Sequence, residues 1–123
     1  DIDFFKKVND EYGHDAGDFV LVEVAKVLTT VARKQDIVGR WGAQEFLALL
    51  PETEGEGGIK LAEKLQEKIE NHKFQFNKQS ISITMSFGVT EYNSNEEDID
   101  SFINKVGSLL NKAKEEGRNK VVS

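Results

Sequence analysis

The reading of the fold turns on the segment DIVGRWGAQEFLALLP, residues 36–51. An alternating stretch runs up to Gly42, the tip GAQE follows, and an apolar run, FLALLP, leads away from it. Two β-prone runs around a short glycine-bearing tip predict a β-hairpin, with strands over roughly 36–41 and 46–50 and a stop at Pro51. The tip holds one carboxylate, Glu45, and an amide, Gln44, where a second carboxylate would complete a metal site.

Outward from the hairpin the chain alternates between the two periodicities. Residues 4–13 read as a short helix stopped at Gly13. The polar segment HDAGD reads as a loop in which Asp15 or Asp18 caps the next helix. From Asp18 onward Val20, Leu21, Val24, Val27, Leu28 and Val31 recur at three- and four-residue spacing, which predicts one buried helix face ending near Lys34. On the far side, ETEGEGG reads as a loop, and Leu61, Ala62, Leu65 and Ile69 stripe a third helix. SISITMSFGVTEY alternates strictly and puts Ile81, Ile83, Met85, Phe87 and Val89 on one side of a half-buried strand. The polar connection NSNEEDID ends in capping residues, a last helix runs from Ile99 past Ala113 to a stop at Gly117, and KVVS forms a short final strand. The order β-α-α-β-β-α-β-α-β, with a hairpin between neighbours, predicts an α+β sandwich and not a doubly wound sheet, in a single domain over residues 1–123. DIDFFKK opens without the apolar lead-in of a central strand, so the start of the first strand is expected to lie upstream.

Composition narrows the chemistry. The 123 residues carry 22 Asp and Glu against 16 Lys and Arg, a net charge of −6. Such a chain has no general basic face to displace counterions from a duplex, which argues against nucleic acid as partner. Small phosphorylated ligands need only a few well-placed cations and stay open. There is no cysteine, so disulfides and thiolate metal sites are excluded, and a cytoplasmic location is expected. No apolar run approaches membrane-spanning length, so no membrane contact is expected of this domain.

Asp1 and Asp3 flank Ile2 at a strand end, where alternation points both carboxylates to one face and leaves the Ile2 carbonyl available. Hard cations such as Mg²⁺ take carboxylate and carbonyl oxygens and are often completed by substrate phosphates. On spacing alone, a solvated strand end with a helix-capping Asp is the commoner meaning of this triplet. NDEYGHDAGD sets Asn9 and Asp18 around a glycine-bearing loop, an amide and a carboxylate suited to a purine edge. KEEGRNK puts Lys114 in the last helical turn and Arg118 just past its glycine stop, where two cations suit a triphosphate or simply oppose the helix dipole.

Taken together, DIDFFKKVNDEYGHDAGD, RKQD, GRWGAQEFLALLP, SISITMSFGVT and KAKEEGRNKVV resemble the GGDEF domain of the diguanylate cyclase family, in order and spacing over the whole chain. The resemblance implies a nucleotidyl-cyclase-like, ferredoxin-like sandwich: a central, mixed, mostly antiparallel sheet flanked by helices, here with the first strand truncated and the usual N-terminal helix absent. It also implies a bacterial signalling domain in which two GTP-loaded copies meet and condense their nucleotides to cyclic di-GMP. By position, Asp1 and the Ile2 carbonyl match the Mg²⁺ ligands, Asn9 and Asp18 the guanine-binding pair, Lys114 and Arg118 the phosphate clamp, and Gly42 to Glu45 the signature tip. Arg33 and Asp36 match the RxxD site at which cyclic di-GMP inhibits, and Lys64 a further basic contact to that ligand. A homodimer is implied for any activity, with a sensor or receiver domain upstream.

The signature departs from the pattern twice. Gln44 stands where the family has an acid that binds Mg²⁺ and helps catalysis, and Ala43 stands where it has a second glycine. An amide brings no charge and cannot act as a base. A methyl at the glycine position is expected to loosen the tip or crowd the ligand. The expectation is therefore a catalytically impaired domain with a regulatory or sensing role through GTP or cyclic di-GMP; an active cyclase and a purely structural dimerisation module are the alternatives.

Overall fold

A computed structural model describes residues 1–95 and 98–123. Its elements, in chain order, are α1 (Phe5–Tyr12), α2 (His14–Val31), β1 (Ile37–Arg40), β2 (Phe46–Leu49), α3 (Gly55–Asn71), β3 (Phe74–Phe76), β4 (Gln79–Ile81), β5 (Phe87–Gly88), α4 (Ile99–Glu115) and β6 (Val121–Val122). The strands pair as two antiparallel hairpins, β1–β2 and β3–β4, and one parallel pair, β5–β6. This is an α+β arrangement of helices on short, mostly antiparallel pairings. The first strand is reduced to an antiparallel bridge between Ile2 and Met85.

The helix after Gly13 starts earlier than the polar segment HDAGD suggests. Gly13, at φ 95°, ends α1 and begins α2 at once, a backbone geometry that glycine adopts without strain. Its amide donates to the Asn9 carbonyl (2.9 Å), and its carbonyl accepts from Gly17 (3.1 Å). Residues 14–18 therefore form the first helical turns and not a loop. No side-chain hydrogen bond caps α2, so neither Asp15 nor Asp18 caps; Asp15 instead stands in the first turn, where a negative charge suits the dipole. The expected apolar stripe is present: Val20, Leu21, Val24 and Leu28 are buried and Val27 and Val31 pack at its margin. The helix stops at Val31, three residues short of Lys34.

The β1–β2 hairpin forms as the sequence predicts, in the register Ile37↔Leu49 to Arg40↔Phe46. α3 begins at Gly55, inside the stretch expected to be a loop. Gly58 explains part of this: a β-carbon there would stand 3.2 Å from Val89 Cγ1, so the glycine face lets the helix approach. The expected single strand over 80–92 is instead divided among partners. Residues 79–81 return on β3 through a turn with Asn77 and Lys78 both at positive φ, the backbone of a tight primed hairpin. Met85 then bridges Ile2, and Phe87–Gly88 pairs with β6. Alternation still sorts the faces, since Ile81, Ile83 and Met85 are buried with Ile2, Ile69 and Phe74 in the core.

α4 is capped by Asp98, whose Oδ1 accepts from the Ser101 amide (2.8 Å). The rest of the predicted connection includes residues 96 and 97, which lie outside the described residues. The helix closes in a Schellman motif with Gly117 at φ 113°, Arg118 N donating to Ala113 O (2.9 Å) and Gly117 N to Lys114 O (3.4 Å). α4 packs on β5 and β6. Among the described residues no helix is long and apolar enough to cross a membrane.

Candidate nucleotide-binding site

Three stretches far apart in sequence meet at residues 1–3. Ile2 N donates to the Gln44 carbonyl (3.1 Å), Asp3 N to Thr84 O (2.9 Å) and Ser86 N to Asp1 O (3.0 Å). The hairpin tip is thereby fixed beside the acidic strand end. The Ile2 carbonyl takes none of these three bonds.

The two acids at that end have separate partners. Asp1 is buried, and its Oδ2 pairs with Lys114 Nζ at 2.7 Å. Asp3 is buried as a brace: its carboxylate accepts from Thr84 Oγ1 (2.7 Å), Ser86 Oγ (2.7 Å) and the Asn119 amide (3.0 Å). That last bond ties the loop after α4, which carries Arg118, to the strand end. The sequence signal for this role is the pair of hydroxyls at positions 84 and 86, alternating with the core residues Ile83 and Met85.

The hairpin tip is closed by Trp41 N (2.8 Å) and Gly42 N (3.2 Å), both donating to Glu45 O. Arg40, which sequence reasoning passed over, donates to the carbonyls of Gly42 (3.0 Å) and Ala43 (2.7 Å) and stiffens the turn. Ala43 is not among the residues at positive φ. Its methyl therefore meets no left-handed-backbone penalty at this position. Gln44 and Glu45 are half-buried, and the Glu45 carboxylate folds back toward Gly42, where a β-carbon would stand 2.9 Å from Oε1.

The α1–α2 junction brings Asn9 against Gly17, the residue before Asp18. The Asn9 carboxamide lies against Gly17, next to Asp18, so closely that a β-carbon on Gly17 would sit 1.8 Å from Asn9 Oδ1. Gly17 is the residue that makes this approach possible. Asp18 is exposed. Of the two basic residues, Lys114 is turned to Asp1, while the Arg118 guanidinium lies 4.6 Å from the centroid of the Phe4 ring.

The donor set at the strand end is of the hard-oxygen kind, the Asp1 carboxylate and the Ile2 carbonyl. Among the described residues no three His, Cys, Asp or Glu side chains converge as a metal site. The set therefore fits a cation that brings most of its ligands with it, as Mg²⁺ does with phosphates.

Arg33 and Asp36 form a compact staple. Asp36 accepts from Arg33 N (2.8 Å), Nε (3.4 Å) and Nη2 (3.1 Å), and Nη2 also donates to Pro51 O (3.0 Å) and to Thr53 Oγ1. Hydrogen bonding from Arg33 holds the Asp36 carboxyl below its usual range. The pair ties the end of α2 to the turn before α3. Lys64 lines a groove of about 630 Å³ between α2 and α3, together with Val27 and Val31.

Comparison with known proteins gives one consistent answer. Residues 1–120 match the family model described as "Diguanylate cyclase, GGDEF domain". Diguanylate cyclase A of Treponema denticola is 38% identical over 121 residues, covering 98% of this chain and 33% of that protein. Diguanylate cyclase DgcM of Escherichia coli K12 is 41% identical over 127 residues, covering 100% of this chain and 29% of that one. The chain thus spans a third or less of these curated relatives. Among solved structures, the diguanylate cyclase SiaD of Pseudomonas aeruginosa, in complex with its activator SiaC, superposes with a TM-score of 0.93 at 39% identity, over 99% of this chain and 46% of that one. The active GGEEF domain of a Vibrio cholerae diguanylate cyclase gives 0.89 at 34% identity, over 99% and 77%. The GGDEF domain of DgcB from Caulobacter crescentus, in complex with c-di-GMP, gives 0.93 at 29% identity, over 99% and 72%. The chain belongs to the GGDEF domain family of diguanylate cyclases.

Proposed function

We propose that this domain binds GTP at the surface shared by the strand end, the hairpin tip and the end of α4, and turns it over poorly or not at all. The observation that carries this is the Ile2–Gln44 bond (3.1 Å), which sets position 44 beside the Asp1–Lys114 pair. An amide stands there, whereas the Vibrio cholerae domain described as active has GGEEF in its signature. In this reading Asn9 and Asp18 bind the guanine edge. Lys114 exchanges its pairing with Asp1 for a phosphate oxygen, and Arg118 takes a second phosphate oxygen. Gly42, Ala43 and Glu45 line the hairpin side of the site. Asp1 and the Ile2 carbonyl would hold a Mg²⁺ that arrives with the triphosphate, and that cation would neutralise phosphate charge. With Gln44 neutral, one preorganised charged group is missing, a loss of roughly 10²–10³ in rate for groups of this kind.

Such a domain acts by occupancy and not by output, as a nucleotide-dependent regulatory module in cyclic di-GMP signalling. Condensation would need a second GTP-loaded copy, and the expected setting is downstream of a sensor or receiver domain. Cyclic di-GMP at Arg33, Asp36 and Lys64 would extend the same role. Arg33 Nη1 takes none of the staple's bonds, so an anion has one donor within reach before the staple opens.

The test is incubation with GTP and Mg²⁺, with products separated chromatographically, beside a thermal melt with and without nucleotide. GTP is expected to raise the melting temperature, because a ligand that binds only the native state stabilises it. Cyclic di-GMP is expected to accumulate about a hundredfold faster in Gln44→Glu. Product formed readily by the unaltered chain, and abolished by Glu45→Ala, would overturn the reading.

A further inference from the structure

Phe4 is an exposed aromatic residue in an unusual backbone state. It is 62% exposed, yet its φ of 55° and ψ of 36° place it in the left-handed region, which a bulky side chain rarely enters. The carbonyl it turns inward accepts from Lys7 (3.0 Å) and Val8 (3.4 Å) to start α1. Its ring is left in solvent, where burial gives no return. What the ring does meet is the Arg118 guanidinium, 4.6 Å from its centroid.

Arg118 is also held in left-handed backbone, at φ 64°, and so is Asn119, at φ 52°. The Schellman bond from Arg118 N to Ala113 O fixes one side of this loop, and the Asn119 amide on Asp3 Oδ2 fixes the other. Phe4 follows Asp3 directly in the chain. The segments that carry ring and guanidinium are thus held on one anchor, the buried Asp3 carboxylate. Lys114, on Asp1 at 2.7 Å, stands four residues before Arg118.

We infer that Phe4 is a positioning residue for Arg118, its ring holding the guanidinium flat so that the in-plane N–H edge is presented to a phosphate oxygen of the nucleotide. Stacking uses only the face of the guanidinium; the five donors lie in its plane and remain free for an anion. A guanidinium already ordered on a ring loses less freedom when it binds phosphate than one waving in solvent. The inference rests on the nucleotide reading above, and it adds a residue whose contribution depends on phosphate and not on the base.

The test compares GTP with guanosine by calorimetric titration of the unaltered chain, Phe4→Leu, Phe4→Tyr, Arg118→Ala and the Phe4→Leu/Arg118→Ala pair. Phe4→Leu is expected to weaken GTP by about two- to fivefold, the range of an exposed cation–π contact, and to leave guanosine unchanged. Phe4→Tyr keeps the π-face and is expected to bind like the unaltered chain. In the Arg118→Ala background, Phe4→Leu is expected to have no further effect. The Arg118 Nε–H resonance in the ligand-free protein gives an independent readout, since it loses its ring-current shift in Phe4→Leu and keeps it in Phe4→Tyr. Equal weakening of GTP and guanosine, a Phe4→Leu effect that persists without Arg118, or no loss of GTP affinity in Phe4→Leu would overturn the positioning role alone. Absence of GTP binding by the unaltered chain would overturn the nucleotide reading and this role with it.

Discussion

Gly17→Ala inserts one methyl group between α1 and α2 at the point where Asn9 rests. The new β-carbon would stand 1.8 Å from Asn9 Oδ1, 2.9 Å from Asn9 Cγ and 3.3 Å from Phe5 Cζ. The first two distances are impossible for non-bonded atoms, so the Asn9 carboxamide must leave; the third asks only a small adjustment of the ring. The folding cost is partly offset. Alanine in a helix interior is favoured over glycine by about 1 kcal/mol, while overpacking costs about 1–3 kcal/mol. The net destabilisation is therefore expected between about 0 and 2 kcal/mol. Binding is expected to suffer more than folding. If Asn9 hydrogen-bonds the guanine, its displacement removes a bond and leaves polar groups of the base unpaired, about 1–3 kcal/mol, or roughly 5- to 150-fold in affinity. Thermal melts and GTP titrations on Gly17→Ala, Asn9→Ala and the double variant separate the two effects. Removing the Asn9 side chain removes the clash, so the double variant should be more stable than the sum of the single changes predicts. Unaltered GTP affinity in Gly17→Ala, or a stability loss that Asn9→Ala does nothing to relieve, would refute the reasoning.

Two further predictions concern the scaffold. A β-carbon on Gly88 would lie 2.6 Å from both Leu110 N and Val106 O, the backbone of α4, which cannot turn aside as a side chain can; Gly88→Ala should cost about 3 kcal/mol. Gly107 in the same helix has nothing within 4 Å, so Gly107→Ala should instead stabilise by about 0.5–1 kcal/mol; urea midpoints that fail to move in opposite directions would contradict the packing of α4 on β5. The Arg33–Asp36 staple carries a pH signature. Asp36 has its carboxyl lowered from 3.8 by hydrogen bonding from Arg33, so its stabilisation is present above the unfolded value and is lost as pH falls through the lower folded one. The difference in melting temperature between the unaltered chain and Asp36→Asn should be flat from pH 8 to 5 and shrink below pH 4; a difference that grows on acidification would exclude the staple.

Much of this molecule is determined locally and is therefore legible in the chain. Hydrophobic period sorts the buried faces of α2, α3 and the strands, because the side-chain repeat of each element is set by its own backbone. Gly13 and Gly117 mark true helix ends because their positive φ is a property of the residue itself. The hairpin is readable because two β-prone runs flank a short polar tip. Tertiary structure decided what depended on partners. Gly55 and Gly58 look like loop residues, yet α3 runs through them, Gly55 N donating to Glu91 Oε2 and Gly58 packing close to Val89, and these partners override a weak helix propensity. The stretch over 80–92 looks like one strand, but pairing is a relation between segments, and three different partners divide it. Asp1 and Asp3 look equivalent in the triplet; only the fold brings Lys114 to one and two hydroxyls with a backbone amide to the other. The meeting of Phe4 with Arg118 had no sequence signal at all, since it arises from two left-handed turns closing on one buried carboxylate from opposite ends of the chain.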